Sequence, residues 1–386
     1  MSLDASLAWL HEQLPAMERD LADLVGVNSF TENKEGGADV GRRLEALFAV
    51  PGLASMHVPS VSGRFADHLV IRSAAAGAPV ALVGHLDTVF PPGVFEGYRV
   101  DGDLRRGPGV LDMKGGLVVV AYALRALAEG GLLERVPVRL AIVSDEEIGS
   151  PEGQPVIREA VAGADAALVF EAGRARDAII TQRKGTGGIT VVASGKAAHA
   201  GNLHHEGVNA IWALAVFVNE VQRLTDYGAG RTVNVGKLVG GQGKNTVPDR
   251  AEAQIDIRFT SIEDGERLVH AIADATRAAE AAVPGAKLTV TGGIARLPMN
   301  RTEASAALAA SYGACAREEG LGDSEAALLG GGSDASTTSA IGIASIDGLG
   351  PRGKGFHTQD EQIEIATMVP KARALARFLA VRAVPR

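Results

Sequence analysis

"VPVRLAIVSDEEIGS", residues 136–150, decides how the chain is read. Its first eight positions have the length and the β-branched content of a buried strand. The run then ends in three consecutive carboxylates, Asp145, Glu146 and Glu147. Adjacent like charges at the end of a buried element repel one another and lose hydration, which raises each pKa unless a cation or a set of donors offsets the cost. A cation is the simplest answer.

The same form recurs outward from this stretch. "HLVIRS", "APVALVGHLD" and "AALVFEAG" read as strands, and "GGLVVVAYALRALAEGG" and "PEGQPVIREAVAG" as helices. Such alternation predicts an α/β layered sheet with helices on its faces. His85, Asp87, Asp145, Glu146, Glu147 and Glu171 each stand just past the last apolar residue of a run. Ligands of open α/β sheets gather at the carboxyl ends of strands, so residues distant in sequence can share one cleft. Between 184 and 296 the rhythm changes to β-α-β-β-α-β, the order of a ferredoxin-like unit. Two domains are therefore expected, one discontinuous over 1–183 and 297–386 and one inserted over 184–296. The N-terminal segment "MSLDASLAWLHEQLPAMERDLADLV" reads as one amphipathic helix, and "IEIATMVPKARALARFLAVRA" as a closing helix.

Bulk properties narrow the function classes. The 386 residues carry a net charge of −8 and no dense basic block, which argues against nucleic-acid or anionic-membrane partners. One cysteine, Cys315, leaves no intrachain disulfide and no thiolate metal site. No run approaches the roughly 18 apolar residues of a membrane span. The N-terminal segment resembles a helix more than a secretory signal, so a cytoplasmic location is expected.

The strand-end residues His85, Asp112, Glu146, Glu147 and Glu171, with His357 in "KGFHTQDE", form one nitrogen and oxygen donor set. It suits Zn²⁺, Co²⁺ or Mn²⁺. Five or more such ligands imply a pair of ions sharing a carboxylate and a water. The H-x-D spacing puts Asp87 on the strand face of His85, where it can orient the imidazole from behind. Taken singly, Asp112 could cap the following helix, and Glu146 and Glu147 could form a solvated acidic turn. Their joint occurrence at strand ends carries the metal reading.

In this order, "GHLDTVF", "GPGVLDMKGG", "SDEEIGS", "VFEAG", "GKAAHAG", "GGGSDAS" and "GFHTQDE" resemble the M20 metallopeptidase family, and within it the glutamate carboxypeptidase branch. The resemblance covers nearly the whole chain. It implies a three-layer, mixed-sheet α/β zinc-peptidase domain binding two Zn²⁺ (or Co²⁺ or Mn²⁺), with an inserted ferredoxin-like α+β dimerisation domain. It further implies that His85 and Glu171 hold one ion and Glu147 and His357 the other, that Asp112 bridges both before a cis bond to Met113, and that Glu146 is the general base. His199 would reach the site of the partner in a homodimer. Asn245, Arg258 and, less directly, Arg296 would bind a substrate carboxylate, although Arg258 could equally be a plain surface cation on an alternating strand. Gly332 would mark a close backbone approach to substrate.

The implied activity is hydrolysis of an amide bond beside a free carboxylate, in a short peptide or N-acyl amino acid, with C-terminal glutamate one candidate. Met113 follows the bridging aspartate as in deacylase-type members, where the nearest carboxypeptidases carry a second acid. A deacylase of the acetylornithine or succinyl-diaminopimelate type is therefore the alternative. A catalytically silent peptide or amino-acid binding protein is the alternative of another class, and its expected sign, a missing ligand or base, is not found in the sequence.

Overall fold

Three apolar runs set the central sheet. The computed structural model describes residues 2–382, and in it the strands Val80–His85, Val138–Val143 and Ala166–Val169 lie parallel and adjacent. Val80–His85 is buried at every position, as a strand covered on both faces must be. The full order is Leu53–Val58, His68–Ser73, Val138–Val143, Val80–His85, Ala166–Val169 and Ala344–Ile346. His68–Ser73 runs antiparallel to both of its neighbours, so this is a mixed sheet in an α/β fold.

Register brings the polar ends level. Val83 pairs with Val169, so His85 and Glu171, each two residues further on, emerge at the same height. His85 pairs with Val143, which delivers the acidic triplet to the same edge. Behind the sheet, helix Lys114–Glu129 is buried along nearly its whole length and shares the main core with Met368–Arg382. Two glycines permit that approach. A Cβ at Gly115 would lie 2.2 Å from the Val110 carbonyl oxygen, and one at Gly116 would lie 2.0 Å from that of Phe170. Lys114, fully buried, donates to the carbonyls of Leu24 and Val27 at 3.1 and 3.0 Å and so ties down the end of an N-terminal helix.

The chain divides into two compact units, one of residues 1–182, 300–328 and 333–386, the other of 183–299 and 329–332. The glycine-rich segment 329–332 therefore groups with the inserted stretch. That second unit has an antiparallel sheet in the order Thr232–Gly240, Arg250–Phe259, Gly185–Ser194, Lys287–Arg296. With helices Ala210–Gln222 and Ile262–Ala282 the chain order is β-α-β-β-α-β, which is ferredoxin-like topology. Along Arg250–Phe259, Ala251, Ala253, Ile255, Ile257 and Phe259 face the helices, leaving Asp256 and Arg258 on the other side.

Two expectations need correction. The single N-terminal helix is two, Leu3–His11 and Leu14–Val25. Pro15 lies in the first turn of the second helix, where its missing N–H is harmless; in the interior of one continuous helix it would clash with the carbonyl four residues back. Asp87 does not share a strand face with His85, because the strand ends at His85. Met1 and Ala383, at the outer ends of the expected terminal helices, lie outside the described residues. Among the described residues no helix is long and apolar enough to cross a membrane.

Candidate metal centre

The acidic triplet divides into three tasks. Asp145 turns inward and caps helix Gly153–Ala160, accepting the N–H groups of Glu152 at 2.7 Å and Gly153 at 3.1 Å. Burial pushes its carboxyl up to about 6. Glu146 and Glu147 point to different neighbours. Donor atoms of His85, Glu146 and Glu171 lie within 4.8 Å of one another, and so do those of Asp112, Glu147 and His357. The Asp87 carboxylate fixes this fork from below, accepting Glu146 N–H at 3.1 Å, Glu147 N–H at 3.2 Å and the Thr31 hydroxyl at 2.7 Å.

Asp112 stands where the two groups meet. One of its oxygens lies 3.3 Å from His85 Nε2, and the other lies 3.3 Å from His357 Nε2. The bond from Asp112 to Met113 is cis. Glu171 approaches His85 Nε2 at 3.6 Å, and Glu147 approaches His357 Nε2 at 3.0 Å. The Nδ1 atom of His85 is 3.0 Å from the main-chain carbonyl of Asp87 and 3.4 Å from its carboxylate, which fixes the ring from the side away from Asp112 and Glu171. His357 has φ +61°, a left-handed conformation uncommon outside glycine, and the adjoining turn is closed by the Thr358 N–H to the Gly355 carbonyl at 3.0 Å.

The electrostatics are those of crowded carboxylates. Burial pushes Glu147 up to about 7, and burial together with the Asp112 charge pushes Glu171 up to about 8. Hydrogen bonds to Asp112 and Glu147 raise His357 to about 10. Burial disfavours the His85 imidazolium, but Glu171, Asp112 and Asp87 outweigh it and hold the group well above its usual range. Burial likewise pushes the Asp112 carboxyl up, and the two imidazoles overcome it and hold it well below. Four carboxyl groups and two imidazoles converge there, and once deprotonated they carry more negative charge than the site itself neutralises, in a donor set free of thiolates. This fits a pair of borderline divalent cations. Cys315 is elsewhere, half-buried in helix Glu303–Glu318.

The remaining expected residues belong to the inserted unit. His199 is exposed on a two-residue ladder in which it pairs with Thr246, and the Ala200 N–H donates to the Asn245 carbonyl at 2.9 Å. That ladder brings His199 and Asn245 together across 46 residues of sequence. The His199 Nδ1 accepts the N–H groups of Gly201 and Asn202, both at 3.1 Å, which assigns the proton of the neutral ring to Nε2. Arg258 grips Asp256 with two donors, at 2.8 and 2.7 Å, and gives a third to the Gly330 carbonyl at 3.2 Å. Arg296 is buried. Gly332 makes a close approach within its own unit: a Cβ there would lie 3.0 Å from Thr186 and 3.1 Å from Arg296.

Thr31, which braces Asp87, and Glu361, which holds the main chain at Asp112, escaped the sequence reading. Nothing near Thr31 in sequence points to the site. Glu361 stands in the same "HTQDE" as His357, four residues on.

Comparison with known proteins places this geometry in context. The model of peptidase family M20/M25/M40 matches residues 81–381. The chain is 29% identical to carboxypeptidase G2 of Pseudomonas sp. over 376 residues, covering 95% of this chain and 89% of the relative. It is 28% identical to the succinyl-diaminopimelate desuccinylase of Gluconacetobacter diazotrophicus, covering 81% and 83%. The crystal structure of a tripeptidase from Staphylococcus aureus superposes with a TM-score of 0.79 at 23% identity, over 96% of this chain and 98% of that one.

Proposed function

Because the chain belongs to peptidase family M20/M25/M40, and is thus a metal-dependent peptidase or amidohydrolase, we propose that it cleaves an amide bond next to a free carboxylate in a short peptide or N-acyl amino acid. The observation that carries this reading is Asp112, whose two carboxylate oxygens each face one imidazole at 3.3 Å. His85 and Glu171 would hold one divalent cation and Glu147 and His357 the other, with Asp112 within reach of both. Zn²⁺ is the first candidate, with Co²⁺ and Mn²⁺ served by the same donors. A bound pair supplies Lewis acidity to the amide carbonyl and acidifies the attacking water.

Glu146 is the general base. It takes the proton of that water and delivers it to the departing amine, so it must remain uncoordinated although it lies within reach of the His85 and Glu171 donors. Asp87 keeps Glu146 and Glu147 apart by holding both of their main-chain N–H groups. His199 presents Nε2–H as the donor for the developing oxyanion. Following the family resemblance, it serves the site of the other subunit in a homodimer formed through the inserted unit, which then acts as a dimerisation and lid domain. Asn245, Arg258 and Arg296 receive the substrate carboxylate. Arg258 must exchange Asp256 for it, which lets the substrate itself draw the guanidinium across.

A biosynthetic deacylase is the second reading, favoured by Met113 directly after the bridging aspartate. One experiment tests both. Metal content is measured, and the metal-loaded protein is then assayed on dipeptides, on N-acyl amino acids including acylglutamates, acetylornithine and succinyl-diaminopimelate, and on the same compounds with the free carboxylate amidated. Two ions per chain and activity lost on amidation are expected. Full activity after exhaustive chelation would sink the proposal, and the preferred acyl group decides between peptidase and deacylase.

A further inference from the structure

Glu361 is buried and belongs to neither group of candidate ligands. Its carboxylate nevertheless holds the segment that carries Asp112. One oxygen accepts the N–H groups of Leu111 at 2.9 Å and Asp112 at 3.0 Å, and the other accepts that of Gly109 at 3.1 Å. The Gly107 N–H also donates to the main-chain carbonyl of Glu361 at 3.4 Å. All three side-chain contacts run from an N–H to an oxygen, which suits an acceptor-only carboxylate. An amide would turn its NH₂ donor against one of those N–H groups. Glu361 also belongs to the turn of His357: its N–H donates to the Thr358 carbonyl at 3.2 Å, and the Thr358 N–H donates to that of Gly355 at 3.0 Å. One residue therefore joins the backbone of the bridging carboxylate to the backbone of an imidazole that faces it at 3.3 Å.

We propose that Glu361 is a positioning residue for the metal pair, holding Asp112 at the separation from His357 at which one cation fits both. The inference rests on the metal-centre reading, and its test separates the two. Full-length Glu361→Gln and Glu361→Asp are compared with the unaltered chain by chelator competition for Zn²⁺, by the visible spectrum of the Co²⁺-loaded protein, and by thermal unfolding without metal. Glu361→Gln is expected to bind its weaker ion about 10- to 100-fold less tightly and to shift the Co²⁺ bands. Glu361→Asp, which keeps the charge on a shorter stem, is expected to recover part of that affinity. A folded Glu361→Gln that loads two ions with unaltered affinity and spectrum overturns the proposal. If Glu361→Gln does not fold, Glu361→Asp decides: weakened binding supports the role, and unaltered binding and spectrum overturn it. An unaltered chain that binds no pair of ions overturns the metal-centre reading itself, and the proposal with it.

Discussion

His85, Asp112 and Glu171 are buried, the first two braced from behind by Asp87 and Glu361, whereas His199 stands exposed on a two-residue ladder and Asn245 is exposed just before its partner strand. In the first region, like charges are forced together, and the fold supplies the surrounding hydrogen bonds. In the second, a neutral imidazole offers one donor to its surroundings. The contrast teaches a division of labour. A set of metal ligands must be fixed before the metal arrives, because each misplaced donor weakens binding. An oxyanion donor has to be in place only when the substrate is.

The hardest blow to this contrast comes from Glu146. Glu146→Ala is expected to keep two ions, counted by elemental analysis, while turnover falls about 10²- to 10⁴-fold. Loss of an ion instead would make Glu146 a ligand beside His85 and Glu171. Next in size, His199→Ala is expected to lower kcat by about 10²- to 10³-fold with metal content unchanged. Mixing inactive His199→Ala and Glu146→Ala chains should restore turnover through hybrid sites; heterodimers without activity would break the shared-site reading.

The buried side of the comparison is sharpened by pH. Without metal, His357 is raised to about 10, Glu171 to about 8 and Glu147 to about 7. Each must lose its proton to coordinate, so lowering the pH through these values weakens metal affinity, by about tenfold per pH unit for each proton released. Calorimetry in buffers of different ionisation enthalpy counts those protons, and affinity flat between pH 6 and 9 would contradict the assignment. The smallest effect belongs to Thr31→Val, which removes one donor from buried Asp87. It is expected to cost about 1–3 kcal/mol in denaturant unfolding, since a buried acceptor loses a partner.

How much of this was legible in the sequence follows from where each contact is made. His85 and Glu171 could be read because short apolar strands end just before them, and parallel register then aligns them without further information. The triplet 145–147 announced charge but not its division. Asp145 as a helix cap depends on a chain reversal at Gly149 and Ser150, both with positive φ. Thr31 and Glu361 were invisible because their partners lie 56 and about 250 residues away, and a hydroxyl or carboxylate facing backbone leaves no periodic trace. The engagement of Arg258 was within reach. Asp256 stands two residues before it, on the same face of an alternating strand.

The interrupted layout of the first unit has a consequence for biosynthesis. Its sheet takes its last strand, Ala344–Ile346, and its centre takes His357, only after residues 183–299 have been made. The inserted unit is nearly continuous and can collapse on the ribosome as soon as it emerges. The earlier half of the first unit must wait with an unfinished sheet edge and with Glu171 lacking part of its surroundings. On the proposed ligand assignment, a complete ion pair could load only once His357 has been made, and chains truncated before it are expected to be neither fully metallated nor active.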